Sequence, residues 1–242
     1  LIFSAAGSAM INNLIEREND ELMERLENRV KALKLVGVGN LSAVAAFLIT
    51  TSIALSAIYI NFLNCALIIL AILSYTIYYT LFLKKSSPFG TVLGGIPGAL
   101  PVVIGYSSIQ PEFSFGYVDI IVLFLFMMVW QPPHFWALAQ HLKDDYKKGG
   151  FPTMPIVYGQ EFTNYLIMIY SLALLPISLY FWIVGICSNF YGVMATLLGG
   201  SFLYLVFRSF REKKYYKSVF LFSILYMLLV NVFISIDIIF MK

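Results

Sequence analysis

Seven apolar runs, each near the ~20 residues that a helix needs to cross hydrocarbon, constrain this chain more than any motif in it. They lie near residues 35–59, 62–83, 88–108, 117–142, 163–186, 190–207 and 218–240, and residues 1–15 read as the end of a further helix. At 60% hydrophobic and 12% charged, the chain carries about half the charge of an ordinary soluble domain. The expectation is an all-α, polytopic transmembrane helical bundle. No low-complexity linker divides residues 1–242 and no repeat is evident, so one membrane domain accounts for the whole chain.

Threading the runs alternately through a bilayer puts every base on one side except Lys242. The crowded side, which includes Arg17, Arg25, Arg29, Lys84, Lys85, Lys143, Lys147, Arg208, Arg211 and Lys217, is cytoplasmic or its organellar equivalent by the positive-inside rule. The net charge of +3 thus reports topology, and no nucleic-acid partner is implied. Cys65 and Cys187 have no ligand or disulfide spacing. The chain opens at Leu1 on an apolar stretch too short to span, which reads as a missing N-terminal segment rather than a cleaved signal peptide.

Two acid clusters carry most of the chemistry. Asn12, Glu16 and Asp20 are spaced i, i+4, i+8, which stacks them on one helix face. Asp144 and Asp145 form the second cluster. An even number of crossings separates the two, so both reach the same aqueous boundary. Acids and bases together at a lipid boundary suggest a metal-bridged phosphate ester with an apolar tail. Mg²⁺ takes hard oxygen ligands and bridges one or two carboxylates to phosphates, while free phosphate oxygens need Arg or Lys. Arg25, Arg29, Lys84, Lys85, Lys143 and Lys147 are available for that. The alternative for the first cluster is a salt-bridged surface helix, since residues 13–34 alternate acids and bases. Apolar Leu14, Leu22, Met23, Leu26 and Val30 in that segment predict one amphipathic helix lying in the headgroup region, placed to cover a site as a lid.

The stretch WQPPHFWALAQHLKDDYKKGGFPTMPIVYG, residues 130–159, is the most polar of the spans. On one continuous helix His134, His141 and Asp145 share a face, with His134 about 16 Å from Asp145 at 1.5 Å per residue. An ionisable side chain at that depth is a functional candidate. The alternative is a hydrogen bond to a neighbouring helix, for instance to a carbonyl released by Pro132 or Pro133. The glycines of GGIPGALPVVIGY serve either close helix packing or bent backbone beside a bulky ligand.

With WQPPHFWALA, KDDYKKGGFPTMPIVYG and YTIYYTLFLKKSSPFGTVLGGIPGALPVVIGY, the chain resembles the protohaem IX farnesyltransferases of the intramembrane aromatic prenyltransferase superfamily, over nearly its whole length. Asn12, Glu16 and Asp20 match the superfamily's first acidic motif at the end of the second of nine helices, with Glu16 and Glu18 where aspartates are usual. In the second motif Asp145 fits one position and His141 stands at the other, as in haem-farnesylating members. The resemblance implies a nine-helix fold of which this chain holds seven complete spans and the end of helix two. It implies transfer of farnesyl from farnesyl diphosphate to a vinyl group of haem B, giving haem O for haem A and cytochrome oxidase. Glu16, Asp20 and Asp145 would be the catalytic acids, and Asn12, Glu16, Asp20, Asp144 and Asp145 the Mg²⁺ ligands. Haem contacts are expected at His134, Trp130 and Gln131. The expected setting is the bacterial inner membrane with the site facing the cytoplasm, or the mitochondrial inner membrane, with the lipid bilayer and a downstream haem-modifying enzyme as partners. A quinone-precursor prenyltransferase, a transporter and a structural subunit are the rival readings.

Overall fold

The computed structural model describes residues 1–110 and 118–240, so Tyr117 and Lys242 lie outside the described residues. The described residues form helices and connections, with no strand among them. Among the described residues seven helices are long and apolar enough to span: Val38–Tyr59, Phe62–Ser86, Gly90–Ser107, Val118–His141, Gly159–Ile183, Asn189–Glu212 and Tyr216–Phe240. They are called the first to seventh spans below. A shorter apolar helix, Ile2–Ile15, precedes them. The chain is therefore an all-α, multi-pass membrane protein, as its run lengths predict.

Two compact units account for the described fold. One comprises Leu1–Ile120 with Lys143–Thr153, the other Ile121–Leu142 with Met154–Lys242.

In the first unit, the Ile2–Ile15 helix packs along the first span, and the second span along the third. Gly7 permits the first approach, because a Cβ there would sit 2.7 Å from Ile49 Cγ1. The core is Ile68, Ile72, Leu100 and Ile104, with Ile49 and Ile53 against it. At one end of these spans Asn61 caps the second helix by accepting from Asn64 N at 2.8 Å. Buried Asn64 then donates to Ile104 O at 2.6 Å and Ser107 Oγ at 2.9 Å, and accepts from Ser56 Oγ at 2.8 Å. Three spans are thus tied through one amide, in an environment where an unmet polar group is costly.

The second span is not an ordinary α-helix throughout. Its middle, Ser74–Leu83, has π-helical hydrogen bonding, and Thr80 Oγ1 reaches back five residues to Tyr75 O at 2.8 Å. Such wide turns are frequent at functional sites. Gly94, at the start of the third span, lies against this segment: a Cβ there would meet Tyr79 Cδ2 at 2.2 Å. For this glycine, close helix packing is the role the structure gives.

In the second unit, the fifth span packs on the sixth and the sixth on the seventh. Trp130 Nε1 on the fourth span donates to Ser223 O on the seventh at 2.7 Å, and Gln140 Nε2 donates to Asn164 Oδ1 on the fifth at 3.0 Å. At the far end of the seventh span buried Asp237 accepts from Ser188 N at 2.8 Å and from Ser188 Oγ at 2.5 Å, holding the turn between the fifth and sixth spans.

Two expectations about continuity do not survive. Residues 13–34 are not one amphipathic helix: the Ile2–Ile15 helix ends at Glu16, a four-residue helix covers Arg17–Asp20, Met23 is extended, and the next α-helix runs Glu27–Val36. The breaks fall beside the buried Glu16, Asp20 and Met23, and the segment turns inward at Met23, whose backbone is extended. Likewise the fourth span ends at His141 and a separate short helix starts at Lys143, so the continuous stripe from His134 to Asp145, and the rise computed along it, do not apply.

Asn64→Ala removes three side-chain hydrogen bonds at once and leaves the Ser107 and Ser56 hydroxyls short of a partner. The expected outcome is a loss of about 1–3 kcal/mol, read as a lowered thermal midpoint in detergent, with helical content unchanged at low temperature.

Candidate active site

The candidate site is built within the first unit. Asn12 lies on the last turn of the Ile2–Ile15 helix, Glu16 at its C-terminal end and Asp20 at the end of the following short helix. Although the helix breaks at Glu16, the i→i−4 bonds Glu16 N to Asn12 O and Asp20 N to Glu16 O persist at 3.0 and 2.9 Å. Helical phase is therefore kept, and all three side chains face inward with 7%, 1% and 2% exposure.

Each acid meets a base from elsewhere in the chain. Lys84 Nζ, from the last turn of the second span, sits 2.6 and 2.7 Å from the two Glu16 oxygens. Arg29 pairs with Asp20. Arg25 Nε lies 2.9 Å from Asp145 Oδ2 on the Lys143–Lys148 helix. Asn12 Nδ2 donates to Thr80 Oγ1 at 3.2 Å, on the π-helical segment. The two acidic clusters, more than a hundred residues apart, are joined here by Arg25–Asp145, by Lys148–Glu24 at 2.5 Å and by Asn19 Nδ2 donating to Gly149 O at 3.0 Å. The salt-bridged helix surface holds for the outward acids, with Glu21 on Lys34 and Glu27 on Lys31, but Glu16 and Asp20 are buried pairs.

Aromatic rings hold the bases. The Arg25 guanidinium lies over the Tyr146 ring at 5.3 Å, and Lys84 Nζ over Phe151 at 5.0 Å. Burial pushes the Tyr146 phenol above its ordinary range; Arg25 opposes that shift, and Glu16 and Asp145 add to it. The phenol is thus a neutral hydrogen-bonding group at any physiological pH. Glu24 is held below the usual carboxylate range by its bond to Lys148. Met23 packs under Gly149, where a Cβ would meet its sulfur at 3.1 Å.

Of the remaining predicted residues, Asp144, Lys85 and Lys147 are exposed and Lys143 is half-buried. Asp145, not Asp144, is the member of the pair that faces the bases. Thr80, Tyr146, Phe151 and Asn19 were not singled out from sequence. Thr80 stands four residues before Lys84 and Tyr146 directly follows Asp145, so adjacency to a charged site residue was the available signal.

His134, Trp130 and Gln131 are buried in the second unit. The imidazole is stacked between Trp130 at 4.5 Å and Phe220 at 4.6 Å, and its Nδ1 is 2.7 Å from Ser223 Oγ on the seventh span. The interhelical partners are the Ser223 hydroxyl and the Phe220 backbone, not a carbonyl freed by Pro132 or Pro133. Gln131 Nε2 bonds Met127 O at 3.1 Å.

Among the described residues no three acidic, His or Cys side chains stand close enough to form a ready-made metal cage. Mg²⁺ does not require one, since it is usually held by one or two carboxylates and the substrate's phosphates. The donors suit it: Glu16, Asp20 and Asp145 are hard-oxygen ligands, and the buried Asp20 Oδ1 has no hydrogen-bond partner among the described residues. The arrangement can present carboxylate oxygens to a cation and three bases to phosphate, at the edge of an apolar bundle.

The model of the UbiA prenyltransferase family matches residues 1–232. A Geotalea uraniireducens protein named protoheme IX farnesyltransferase is 41% identical over 225 residues, 91% of this chain and 86% of that one. Proteins of the same name from Aquifex aeolicus and Rickettsia bellii are 39% and 37% identical, over 93% and 92% of this chain and 76% and 74% of theirs. A solved structure, described as giving structural and mechanistic insights into a digeranylgeranylglyceryl phosphate synthase in membranes, superposes with a TM-score of 0.76 at 19% identity, over 98% of this chain and 82% of that one. At that identity the likeness concerns the fold.

If the bases serve as countercharges for the buried acids, Lys84→Met alone strands the Glu16 carboxylate and costs about 3 kcal/mol or more. Combining it with Glu16→Gln should recover most of that stability. A double-mutant cycle on thermal or denaturant unfolding checks the coupling; purely additive effects would show that the pair is not coupled.

Proposed function

The chain belongs to the UbiA prenyltransferase family, and from that footing we propose that it is an integral-membrane protohaem IX farnesyltransferase, transferring farnesyl from farnesyl diphosphate to a vinyl group of haem B to give haem O. The observation that carries this reading is the meeting of both acidic clusters with Arg25, Arg29 and Lys84 at the end of apolar helices, in a chain 41% identical to a protein of that name. One functional domain is proposed for residues 1–242, supported by a single family model that runs through both units.

The chemistry needs a leaving group, a shielded cation and an acceptor. The farnesyl carbon-oxygen bond breaks with both electrons passing to diphosphate, and Arg25, Arg29 and Lys84 stabilise the charge that develops there. The allylic carbon is attacked by the terminal carbon of the haem vinyl group. Water adds to the adjacent carbon and loses a proton, leaving the hydroxyethyl side chain. Mg²⁺, held by Glu16, Asp20 and Asp145 with Asn12 beside them, would supply Lewis-acid neutralisation of the diphosphate when bound. The low-polarity walls of the bundle keep water from the cation until the new bond is made.

Lys85, Lys143 and Lys147 serve the approach of the anionic headgroup rather than its final seat, because the site acids are paired with Arg25, Arg29 and Lys84 instead. The distribution of bases favours a site facing the cytoplasm in a bacterial plasma membrane. Product haem is more lipophilic than its precursor and stays in the bilayer, which favours direct handover to a downstream haem-modifying membrane enzyme.

Incubating the protein in membranes with haem B, farnesyl diphosphate and Mg²⁺ should raise the haem mass by one farnesyl group and one hydroxyl group; an unchanged mass refutes the proposal. Asp20→Ala and Asp145→Ala should each lower turnover by at least a hundredfold with the fold retained. Glu16→Asp should keep activity that Glu16→Gln loses, and equal rates for those two would remove Glu16 from the metal set.

His134 gives a separate test of the acceptor end. His134→Ala should alter haem affinity or the haem absorption spectrum while farnesyl diphosphate binding is unchanged. A fall in thermal stability matched by Ser223→Ala, with the haem spectrum intact, would leave His134 as an interhelical bridge only.

A further inference from the structure

The turn between the sixth and seventh spans carries the chain's whole charge excess. Arg208, Arg211, Lys213, Lys214 and Lys217 stand against the single acid Glu212, a net +4 within ten residues, whereas the entire chain is +3. Elsewhere bases and acids balance, and in the candidate active site they are paired one to one. Positive-inside topology needs bases near span ends; it does not require them to be left without carboxylates.

The turn is also built to present them. Arg208 neutralises Glu212 at 2.9 Å, donates to Tyr215 OH at 3.0 Å and lies over the Tyr215 ring at 4.4 Å. The other four bases are exposed, and none is ion-paired among the described residues. Ser209 Oγ bonds Lys214 O at 2.6 Å and clamps the loop shut. Lys213 and Tyr215 adopt φ of 51° and 65°, a left-handed conformation that non-glycine residues rarely hold without a compensating constraint. Exposed Tyr204 and Phe207 stand on the preceding turns, with Arg211 over Phe207 at 5.9 Å. Amphipathic rings beside uncompensated bases at a span end match the headgroup layer of a bilayer.

We propose that this turn is a binding site for anionic phospholipid headgroups, distinct from the acid-lined site of the first unit. Arg211, Lys213, Lys214 and Lys217 take the phosphate, and Tyr204 and Phe207 lie at the glycerol level.

The test uses the full chain in detergent, titrated with phosphatidylglycerol or phosphatidylcholine, with bound lipid counted by native mass spectrometry. Wild type should bind phosphatidylglycerol at least tenfold more tightly than phosphatidylcholine, given a factor of about five per surface base. Lys213→Gln, Lys214→Gln and Lys217→Gln combined should abolish the preference, and the three Arg substitutions should keep it. An unchanged preference in the Gln variant overturns the proposal. Inorganic phosphate is the second probe: displacement of the lipid by phosphate at equal concentration would mean that the turn reads a free anion, and the lipid assignment fails. Farnesyl transfer by the Gln variant in neutral lipid should match wild type; its loss would place these bases in the active site and refute a separate lipid site.

Discussion

A carboxylate taken out of water must bring its countercharge with it, and the first unit is arranged around that requirement. Glu16 and Asp20 have side chains 2% and 3% exposed, and burying an unpaired charge costs several kcal/mol. Lys84 and Arg29 reach them from different segments, so the pairs also fix where the second span ends and how the Glu27–Val36 helix returns. The same pairing keeps the site near neutrality before any ligand arrives. In the proposed reaction the bases would turn to the diphosphate and the carboxylates to the metal. Rings beneath Arg25 and Lys84 limit how far the bases must move.

The spans were legible because hydropathy reports solvent, and solvent here is the strongest constraint. The second span, expected at 62–83, runs Phe62–Ser86, and the seventh, expected at 218–240, runs Tyr216–Phe240. The sixth was expected to stop at 207, yet its helix continues to Glu212. Arg208 and Arg211 mark where hydrocarbon ends, but a helix whose backbone bonds are already made need not stop there. Conversely, apolar spacing in residues 13–34 suggested continuity that tertiary pairing overrides. The π-helical stretch Ser74–Leu83 was not read from the sequence, and it carries Thr80 to Asn12 and leads into Lys84 at Glu16.

At the site, the acids and the bases around them were readable and the pairing between them was not. Spacing alone put Asn12, Glu16 and Asp20 on one face, and the count of crossings put Asp145 on the same side. Nothing in the sequence says that Lys84, rather than its neighbour Lys85, takes Glu16; that depends on the phase of the helix carrying both. The choice of Asp145 over Asp144 is of the same kind, since two adjacent residues on a helix point about 100° apart and only one can face Arg25. Charge and periodicity give the membership of such a site, whereas the pairing within it is a property of three dimensions.

The second unit shows how a buried polar residue can be fully accommodated and still keep a direction in which to act. His134 has both faces covered, by Trp130 and by Phe220, and its Nδ1 is committed to Ser223. A flat ligand therefore cannot stack on this imidazole. The haem contact proposed for His134 would therefore lie in the plane of the ring, with Ser223 holding the ring's orientation. Trp130 is anchored to the same serine through its carbonyl, so Ser223 holds both members of the stack. The residue that orients this imidazole thus lies on a different span from the ring itself, and one hydrogen bond ties the fourth span to the seventh.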